Sequence, residues 1–261
     1  MSSGALRFDD ATSARVESTY LTPDVVEQRQ TIRKFLALSA GEVVLDVGSG
    51  PGFLVAEMAE AVGPAGAVHG LEPSAAMRTL AGWRVLSPDS AAVHFIPGDA
   101  TDLPFADNTF DVVTATQTYE YVEDVVTALA EAHRVLRPGG RLLVLDTDWD
   151  SVVWHSSDRD RMRRVLRAWD GHLSDPHLPR RLAPLLHDTG FVVTDRRVVP
   201  LLNYGDNRDT YSAGLIEFVS DFVRGQLPDV EIDAWRADLL AMGTDYSFSL
   251  NRYLFSAVKP G

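Results

Sequence analysis

The stretch that decides the fold is Val43-Val44-Leu45-Asp46-Val47-Gly48-Ser49-Gly50-Pro51-Gly52. Its first half is apolar and largely β-branched, which predicts a buried strand. Its second half alternates glycines, which permit a sharp turn and let a ligand lie directly against the backbone. Residues 53–62 then place apolar side chains on one helical face. Strand, glycine turn and helix together predict the start of a β-α-β unit with a nucleotide-type ligand at the turn.

The spacing of the glycines and the acids around them indicate which nucleotide binds. A dinucleotide fingerprint has the spacing G-x-G-x-x-G and holds a pyrophosphate at the helix N-terminus. Here the spacing is G-x-G-x-G, and Phe53 stands where that motif has its third glycine. Asp46, Glu72 and Asp99 each accompany an apolar run, so they are expected to share one crevice at the carboxyl edge of the sheet. Three carboxylates would repel a pyrophosphate and suit a cationic ligand such as S-adenosylmethionine.

At these residues the sequence resembles the class I S-adenosylmethionine-dependent methyltransferases. Within that family it is most similar to the quinone-biosynthesis and small-molecule branch, which is the type 11-like branch. Five motifs in the expected order carry the resemblance, and they span roughly residues 40 to 147. They are Val44–Gly52, Glu72, Gly98-Asp99-Ala100, Phe110-Asp111-Val112-Val113 and Arg134–Leu142.

The resemblance implies an α/β fold with a Rossmann-like, doubly wound sheet of about seven strands. Most strands would be parallel, and an antiparallel last strand would lie between the fifth and the sixth. We expect one methyltransferase domain over residues 1–261. It would comprise an N-terminal cap segment (1–39), a cofactor-binding core (40–147) and a C-terminal half (148–261), whose inserted helices in 203–243 form a lid over the acceptor pocket.

Apolar periodicity, helix caps and turn residues place the individual elements. Residues 1–12 are expected to be a loose terminus. The predicted strands are 43–47, 67–72, 93–97, 110–115, 141–147, 191–200 and 246–258. The predicted helices are 23–38, 53–62, 74–82, 123–136, 180–187, 209–225 and 229–242, with a further helix after residue 156.

The resemblance also assigns roles to the cofactor candidates. Gly48 and Gly50 would admit the methionine moiety against bare backbone, and Glu72 would accept hydrogen bonds from both ribose hydroxyls. Asp99 would accept from the adenine amino group, and Asp46 would orient the loop or the ammonium through water. Each acid could instead be an ordinary cap or turn residue. The remaining cofactor candidates are Ser49, Gly52, Pro73, Ala100, Thr116, Gln117 and Tyr20, and the product would be S-adenosylhomocysteine.

The loop after the fourth strand supplies the first acceptor-site candidates. Tyr119 and Tyr121 could pack on a substrate ring or shelter a sulfonium, and Glu120 could act as a base. Alternatively, Glu120 only complements the dipole of the next helix. His155 is the histidine chosen as general base, because an unperturbed imidazole titrates near neutrality. The catalytic candidates are thus His155, Glu120 and Tyr119, and the substrate-binding candidates are Tyr121, Trp149, Trp154, Tyr204 and Tyr211.

The acidic run Asp146-Thr147-Asp148-Trp149-Asp150 raises the question of a metal. A calcium loop needs a glycine and later a glutamate where Ser151 and Ser157 stand, so that site is excluded. A magnesium site of the catechol-methyltransferase type would need another acid from a nearby loop. We therefore predict no metal.

The composition of the chain limits the kinds of partner and chemistry that are open to it. A net charge of −13 disfavours nucleic acid and anionic membranes as partners. The absence of cysteine excludes a thiol nucleophile, and it disfavours arsenite methylation, because that branch uses cysteines. The chain has neither a membrane-spanning run nor a signal-peptide pattern, which predicts a cytoplasmic protein.

We therefore predict a methyltransferase, monomeric or homodimeric, that acts on an O, N or C atom of a small, partly apolar or aromatic molecule. The alternatives are a non-catalytic S-adenosylmethionine-binding accessory protein and a nicotinamide-dependent oxidoreductase.

Overall fold

The computed structural model describes residues 10–84, 86–206 and 208–261. Its centre is an eight-stranded sheet in the order β3-β2-β1-β4-β5-β8, with β6 and β7 both paired to β8. The strands are β1 (Val43–Val47), β2 (Ala67–Leu71), β3 (Ala92–Ile96), β4 (Phe110–Thr116), β5 (Leu136–Thr147), β6 (Val153–Trp154), β7 (Val192–Tyr204) and β8 (Ser247–Val258).

Strand direction confirms the predicted sheet. The first five strands pair in parallel, and β8 runs antiparallel between β5 and β7. The sheet exceeds the expected seven strands because the short β6 continues along β8 where β5 has ended. β5 begins at Leu136 rather than at residue 141, because Leu136 already pairs with Phe110 before the register shifts. β7 extends to Tyr204 because it pairs with β8 along its whole length.

The helices flank the sheet. They are α1 (Asp10–Tyr20), α2 (Pro23–Leu36), α3 (Phe53–Val62), α4 (Ala75–Gly82), α5 (Val125–Val135), α6 (Arg159–Trp169), α7 (Pro179–Asp188), α8 (Tyr211–Val223) and α9 (Asp229–Ala241). None of the helices in the described part of the chain has the length and apolar composition of a membrane span. Side-chain caps set where helices next to the site begin: Ser74 Oγ accepts from Met77 N at 3.3 Å, and Asp124 Oδ1 accepts from Thr127 N at 3.0 Å.

The loose terminus predicted for residues 1–12 is wrong from Asp10 onwards, because α1 begins there; residues 1–9 lie outside the described residues. The sequence of α1 lacks an apolar stripe, since its buried positions include Ser13 and Thr19. Small side chains allow a close approach instead: a Cβ on Gly214 of α8 would lie 2.7 Å from Thr19 Oγ1. α1 therefore packs by shape, which an apolar pattern cannot reveal.

Alternating residues of the central strands face two separate cores. Leu45 and Val47 pack into a cluster with side chains of α5 and α7, whereas Val44 packs with α2 and α3 on the opposite face. A third cluster joins α6, α8 and α9 to the beginning of β8. The first two clusters fix the carboxyl edge of β1, β2 and β4, and the third encloses the space beyond it.

Candidate cofactor and acceptor site

The glycine turn after β1 is fixed from two directions. The backbone N–H groups of Gly48 and Ser49 both donate to Leu71 O, at 2.8 and 3.0 Å. Gly48 has a φ of +72°, and a Cβ there would lie 2.4 Å from Thr118 Oγ1. Gly50 has a φ of +52°, but its Cβ would meet only Tyr20 Cε2, at 3.9 Å. Gly48 is therefore required by close packing, and Gly50 leaves space for a ligand.

That space belongs to a cavity of about 420 Å³, here called the large cavity, at the carboxyl ends of β1, β2 and β4. Its size suits a nucleoside-sized ligand. Three of the cofactor candidates, Asp46, Ser49 and Gly52, do not line it. The nine that do are Tyr20, Gly48, Gly50, Glu72, Pro73, Asp99, Ala100, Thr116 and Gln117.

Glu72 closes one side of the large cavity. Its Oε2 accepts from Gly50 N at 2.9 Å, and its Oε1 accepts from Ser74 N at 2.8 Å. Burial raises the pKa of Glu72, and these two N–H groups and the Arg78 charge oppose that rise. Each carboxylate oxygen has a second lone pair, so Glu72 can hold the turn and still accept hydroxyl groups from a ligand.

Asp46 and Ser49 line an adjoining side cavity of about 50 Å³, which shares Tyr20, Gly48 and Gly50 with the large cavity. Asp46 Oδ1 and Ser49 Oγ are buried and have no hydrogen-bond partner in the described structure. Burial, with the Glu72 charge adding to it, raises the pKa of Asp46 well above its usual range. Unsatisfied buried acceptors are costly, so this corner suits a polar or cationic group from a ligand.

Gly52 lies away from both of these cavities. A Cβ there would lie 2.8 Å from Ala81 Cβ and 3.0 Å from Phe95 Cζ, so this glycine lets α4 and β3 pack against the turn. Asp99 is exposed on the wall of the large cavity, and its Oδ1 accepts from Thr101 N and from Thr101 Oγ1, at 2.8 and 2.6 Å. Asp99 can therefore stabilise this turn and still contact a ligand in the large cavity.

The loop after β4 carries a backbone conformation that is rare for a side-chain-bearing residue. Gln117 has a φ of +54°. Its N–H donates to Leu145 O at 2.7 Å, and its Oε1 accepts from Thr147 Oγ1 at 2.7 Å. Thr118 N donates to Asp146 Oδ1 at 2.9 Å. β5 thus holds this loop in a strained form where it borders all three cavities of the site.

The third cavity, here called the aromatic pocket, has a volume of about 110 Å³. It shares Val16, Tyr20, Gln117 and Tyr121 with the large cavity, so the two are neighbours across a common wall. α8 contributes to its lining, and no residue of α9 does, because α9 packs behind α8 with Trp235 fully buried. The other lining residues are Thr19, Glu120, Trp149, Trp169, His172, Tyr211, Leu215, Phe218 and Arg252.

Glu120 is a buried carboxylate in the aromatic pocket. Its Oε2 accepts from Thr147 N at 3.1 Å and from Trp149 Nε1 at 3.3 Å. Burial raises the pKa of Glu120 to about 7, while the Thr147 N–H and the Arg252 charge act in the opposite direction. Near neutral pH, Glu120 can therefore hold or release a proton.

Two titratable lining residues, Arg252 and His172, are not among the sequence candidates. Arg252 is buried, donates to Gln28 Oε1 and lies 4.8 Å from the centre of the Tyr211 ring. In the described part of the chain it has no carboxylate within ion-pair distance. Period-2 alternation could have found Arg252, because it shares a face of β8 with Leu250 and Leu254. His172 follows a helix end and gives no sequence signal.

Four candidates for catalysis or substrate binding line none of the three cavities. Tyr119 is buried in the core with α5, and Trp154 packs at 4.9 Å against the Phe248 ring. Tyr204 is 64% exposed at the end of β7. His155 is exposed, and its backbone N donates to Ser247 O. The structure therefore brings Glu120, Tyr121, Trp149 and Tyr211 together and leaves His155, the histidine proposed as general base, outside.

One group in the described residues has metal-ligand geometry, namely Asp148, Asp150 and His177. The Arg180 guanidinium already donates to Asp148 Oδ2 at 2.8 Å and to Asp150 Oδ2 at 2.6 Å. A cation therefore already pairs with these carboxylates. Neither Asp146 nor a further acid from a nearby loop joins the group.

Comparison with known proteins agrees with this geometry. Residues 45–144 match the family model described as "Methyltransferase domain". A 37.1 kDa uncharacterised protein of Streptomyces fradiae, from transposon TN4556, is 39% identical over 166 residues, which cover 62% of this chain and 46% of that protein. The demethylmenaquinone methyltransferase of a Geobacillus strain is 37% identical over 125 residues, which cover 48% and 53%. The chain thus spans about half the length of these curated relatives.

A solved structure shows the same fold. Phosphoethanolamine N-methyltransferase 2 of Haemonchus contortus, in complex with phosphomonomethylethanolamine and S-adenosylhomocysteine, superposes with a TM-score of 0.64 at 20% identity. The match covers 97% of this chain and 58% of that one. Family model, relatives and fold agree with the glycine turn and its acids: over residues 45–144 they support a class I methyltransferase domain of the type 11 branch, whose cofactor is S-adenosylmethionine.

Proposed function

We propose that this protein transfers a methyl group from S-adenosylmethionine to a small, partly apolar or aromatic acceptor. The observation that carries this proposal is the common wall of the large cavity and the aromatic pocket, formed by Val16, Tyr20, Gln117 and Tyr121. A nucleoside-sized space on one side and a ring-lined space on the other is the arrangement that a two-substrate transfer needs.

The described residues fit the cofactor. Glu72 offers lone pairs to a ribose diol, and Asp99 can accept from an adenine amino group. The orphaned Asp46 Oδ1 and Ser49 Oγ suit the ammonium of the methionine end, directly or through water. When bound, S-adenosylmethionine supplies an electrophilic methyl on sulfur. Gly50 lies beside the space for that moiety, since a Cβ there would meet only Tyr20.

The aromatic pocket would position the acceptor and exclude water. Trp149, Trp169 and Tyr211 are buried around it, so the space beside the cofactor has a low polarity. Methyl transfer from a sulfonium to a neutral acceptor disperses charge, which such a space favours. The Geobacillus relative is named for a quinone-type acceptor, which supports a ring-bearing small molecule here. The proposal covers methylation of an O, N or C atom. It includes Glu120 as a group that can take a proton from the acceptor.

We also infer that residues 1–261 act as one domain. α1 supplies Val16 and Tyr20 to the site, and β8 supplies Arg252, so both chain ends contribute to the same cavities. The cytoplasmic location, the absence of nucleic-acid and membrane partners, and a monomeric or homodimeric state stay predictions from the sequence.

Two measurements test the proposal. Calorimetric titration with S-adenosylmethionine and S-adenosylhomocysteine, with NADH alongside, should show micromolar binding of the two sulfur compounds only. Transfer of a radiolabelled methyl to a panel of phenols, hydroxyquinols and aryl amines should then label at least one of them. Cofactor binding without labelling of any acceptor would favour the non-catalytic accessory function. Binding of NADH alone would favour the oxidoreductase alternative, which the match of residues 45–144 to the methyltransferase model does not support.

A further inference from the structure

The aromatic pocket contains a histidine whose two ring nitrogens have different surroundings. His172 is completely buried and stacks on Trp169, with ring centres 3.6 Å apart and planes 19° from parallel. Its Nδ1 lies 2.5 Å from Trp169 O. A carbonyl oxygen can only accept, so Nδ1 carries a proton and donates it to this contact. In a neutral ring, Nε2 is then a bare acceptor.

The ring is neutral because of its surroundings. Burial lowers the pKa of His172 to about 3, against the opposing contribution of the Trp169 carbonyl. Trp149 lies edge-on at 4.9 Å, and Phe222 lies 6.0 Å away. Nε2 is buried and has no hydrogen-bond partner in the described residues, which is costly for a polar atom. Since His172 lines the aromatic pocket, a ligand in that pocket is the natural partner for Nε2.

The volume of the pocket limits the size of that ligand. About 110 Å³ is somewhat smaller than the roughly 150 Å³ apolar cavity known to hold a benzene molecule. A single six-membered ring is therefore the largest planar group that we expect inside it, with any larger substituent extending into the large cavity.

We propose that His172 Nε2 accepts a hydrogen bond from the hydroxyl group of a phenol-class acceptor, so that the substrate is a hydroxyl-bearing single aromatic ring. The inference rests on the proposed function and specifies its acceptor. His172 stays neutral in this contact, because burial lowers its pKa. Nε2 therefore orients the hydroxyl group as a hydrogen-bond acceptor and does not take its proton.

The test compares p-cresol, which can donate a hydrogen bond, with 4-methylanisole, which cannot. Both are titrated calorimetrically into the 261-residue chain saturated with S-adenosylhomocysteine. We expect p-cresol to bind about tenfold more tightly to the wild type, the size expected for a satisfied buried acceptor. His172→Asn keeps an N–H for Trp169 O but has nothing at the place of Nε2, so this preference should disappear. His172→Gln restores an acceptor there and should recover part of it.

His187→Asn is the matched control, because His187 is exposed and lies outside the three cavities. It should keep the full preference. No preference in the wild type, no binding of p-cresol, or an undiminished preference in His172→Asn would each overturn the proposal. Affinity for S-adenosylhomocysteine and the midpoint of thermal unfolding, measured for every variant, separate this failure from a failure of cofactor binding or folding. A retained preference without methyl transfer would instead count against the proposed function alone.

Discussion

The cofactor half and the acceptor half of the site are built in different ways. Every candidate cofactor residue except Tyr20 lies between Asp46 and Gln117, at the ends of four adjacent strands. The aromatic pocket instead collects side chains from α1, the loop after β4, the end of α6, α8 and β8. The first half depends on backbone geometry, such as the 2.4 Å that a Cβ on Gly48 would leave to Thr118. The second half depends on side chains whose backbone could carry many residue types.

The two halves also stabilise buried charge differently. The Glu72 carboxylate accepts two backbone N–H groups that belong to the fixed turn. Glu120 accepts one backbone N–H and one indole N–H, and the Arg252 charge that acts on it forms no ion pair with it. Backbone donors are present whatever the sequence, whereas Trp149 and Arg252 are separate side chains that must be brought into place.

The largest effect that we expect is on the cofactor half. Glu72→Ala should weaken S-adenosylmethionine binding by about 1.5–3 kcal/mol, the scale for hydrogen bonds to a charged group. Gly50 N and Ser74 N also lose their acceptor in this variant, so the turn becomes less ordered. Calorimetric titration with S-adenosylmethionine measures the loss.

Glu72→Gln keeps one carbonyl oxygen and should fall between the wild type and Glu72→Ala. Glu60→Ala changes an exposed glutamate of α3 and should leave the affinity unchanged. An unchanged affinity in a folded Glu72→Ala protein would show that Glu72 does not bind the ribose.

The same contrast explains how much the sequence could predict. The parallel sheet, the glycine turn and the position of Glu72 follow from local rules, because a tight turn under a ligand tolerates few residue types. His172 and Arg252 enter the site only through tertiary packing, and neither spacing nor composition marks His172. His155 was the better candidate by sequence, yet β6 ends at Trp154, and His155 lies exposed beyond it. α1 was missed because it packs through Thr19 and Ser13 rather than through an apolar stripe.

In the acceptor half, the pH dependence of stability tests whether the pKa of Glu120 is raised. Burial raises its pKa from 4.5 to about 7. Between these values the folded protein keeps the proton that the unfolded chain has lost, so the free energy of unfolding falls as pH rises. Over the whole range, the free energy of unfolding falls by roughly 3 kcal/mol. Glu120→Gln cannot ionise, and its amide makes weaker bonds to Thr147 and Trp149, so we expect a net gain of about 2 kcal/mol above neutral pH.

Chemical denaturation of both proteins from about pH 4.5 to about pH 8.5 measures this difference. The gain should be absent at the acid end and complete at the alkaline end. Glu60→Gln, on the surface, should show no such trend. Asp46 and Asp146 also have raised pKa values through burial, so the wild type alone cannot isolate Glu120. A difference between Glu120→Gln and the wild type that is constant with pH would show that Glu120 does not titrate in this range.

The smallest effect concerns Gln117, where the two halves meet. Its φ of +54° is a conformation that glycine adopts without steric cost and alanine does not. Gln117→Gly and Gln117→Ala lose the same bond to Thr147 Oγ1, so their difference isolates the backbone. We expect the glycine variant to be more stable than the alanine variant by about 1 kcal/mol in chemical denaturation. At Glu60, inside α3, the same pair should give the opposite sign, because alanine favours a helix. If alanine proved equal or better at position 117, the strain would not be stored in this backbone, and the loop shared by both cavities would be held by its side-chain bonds alone.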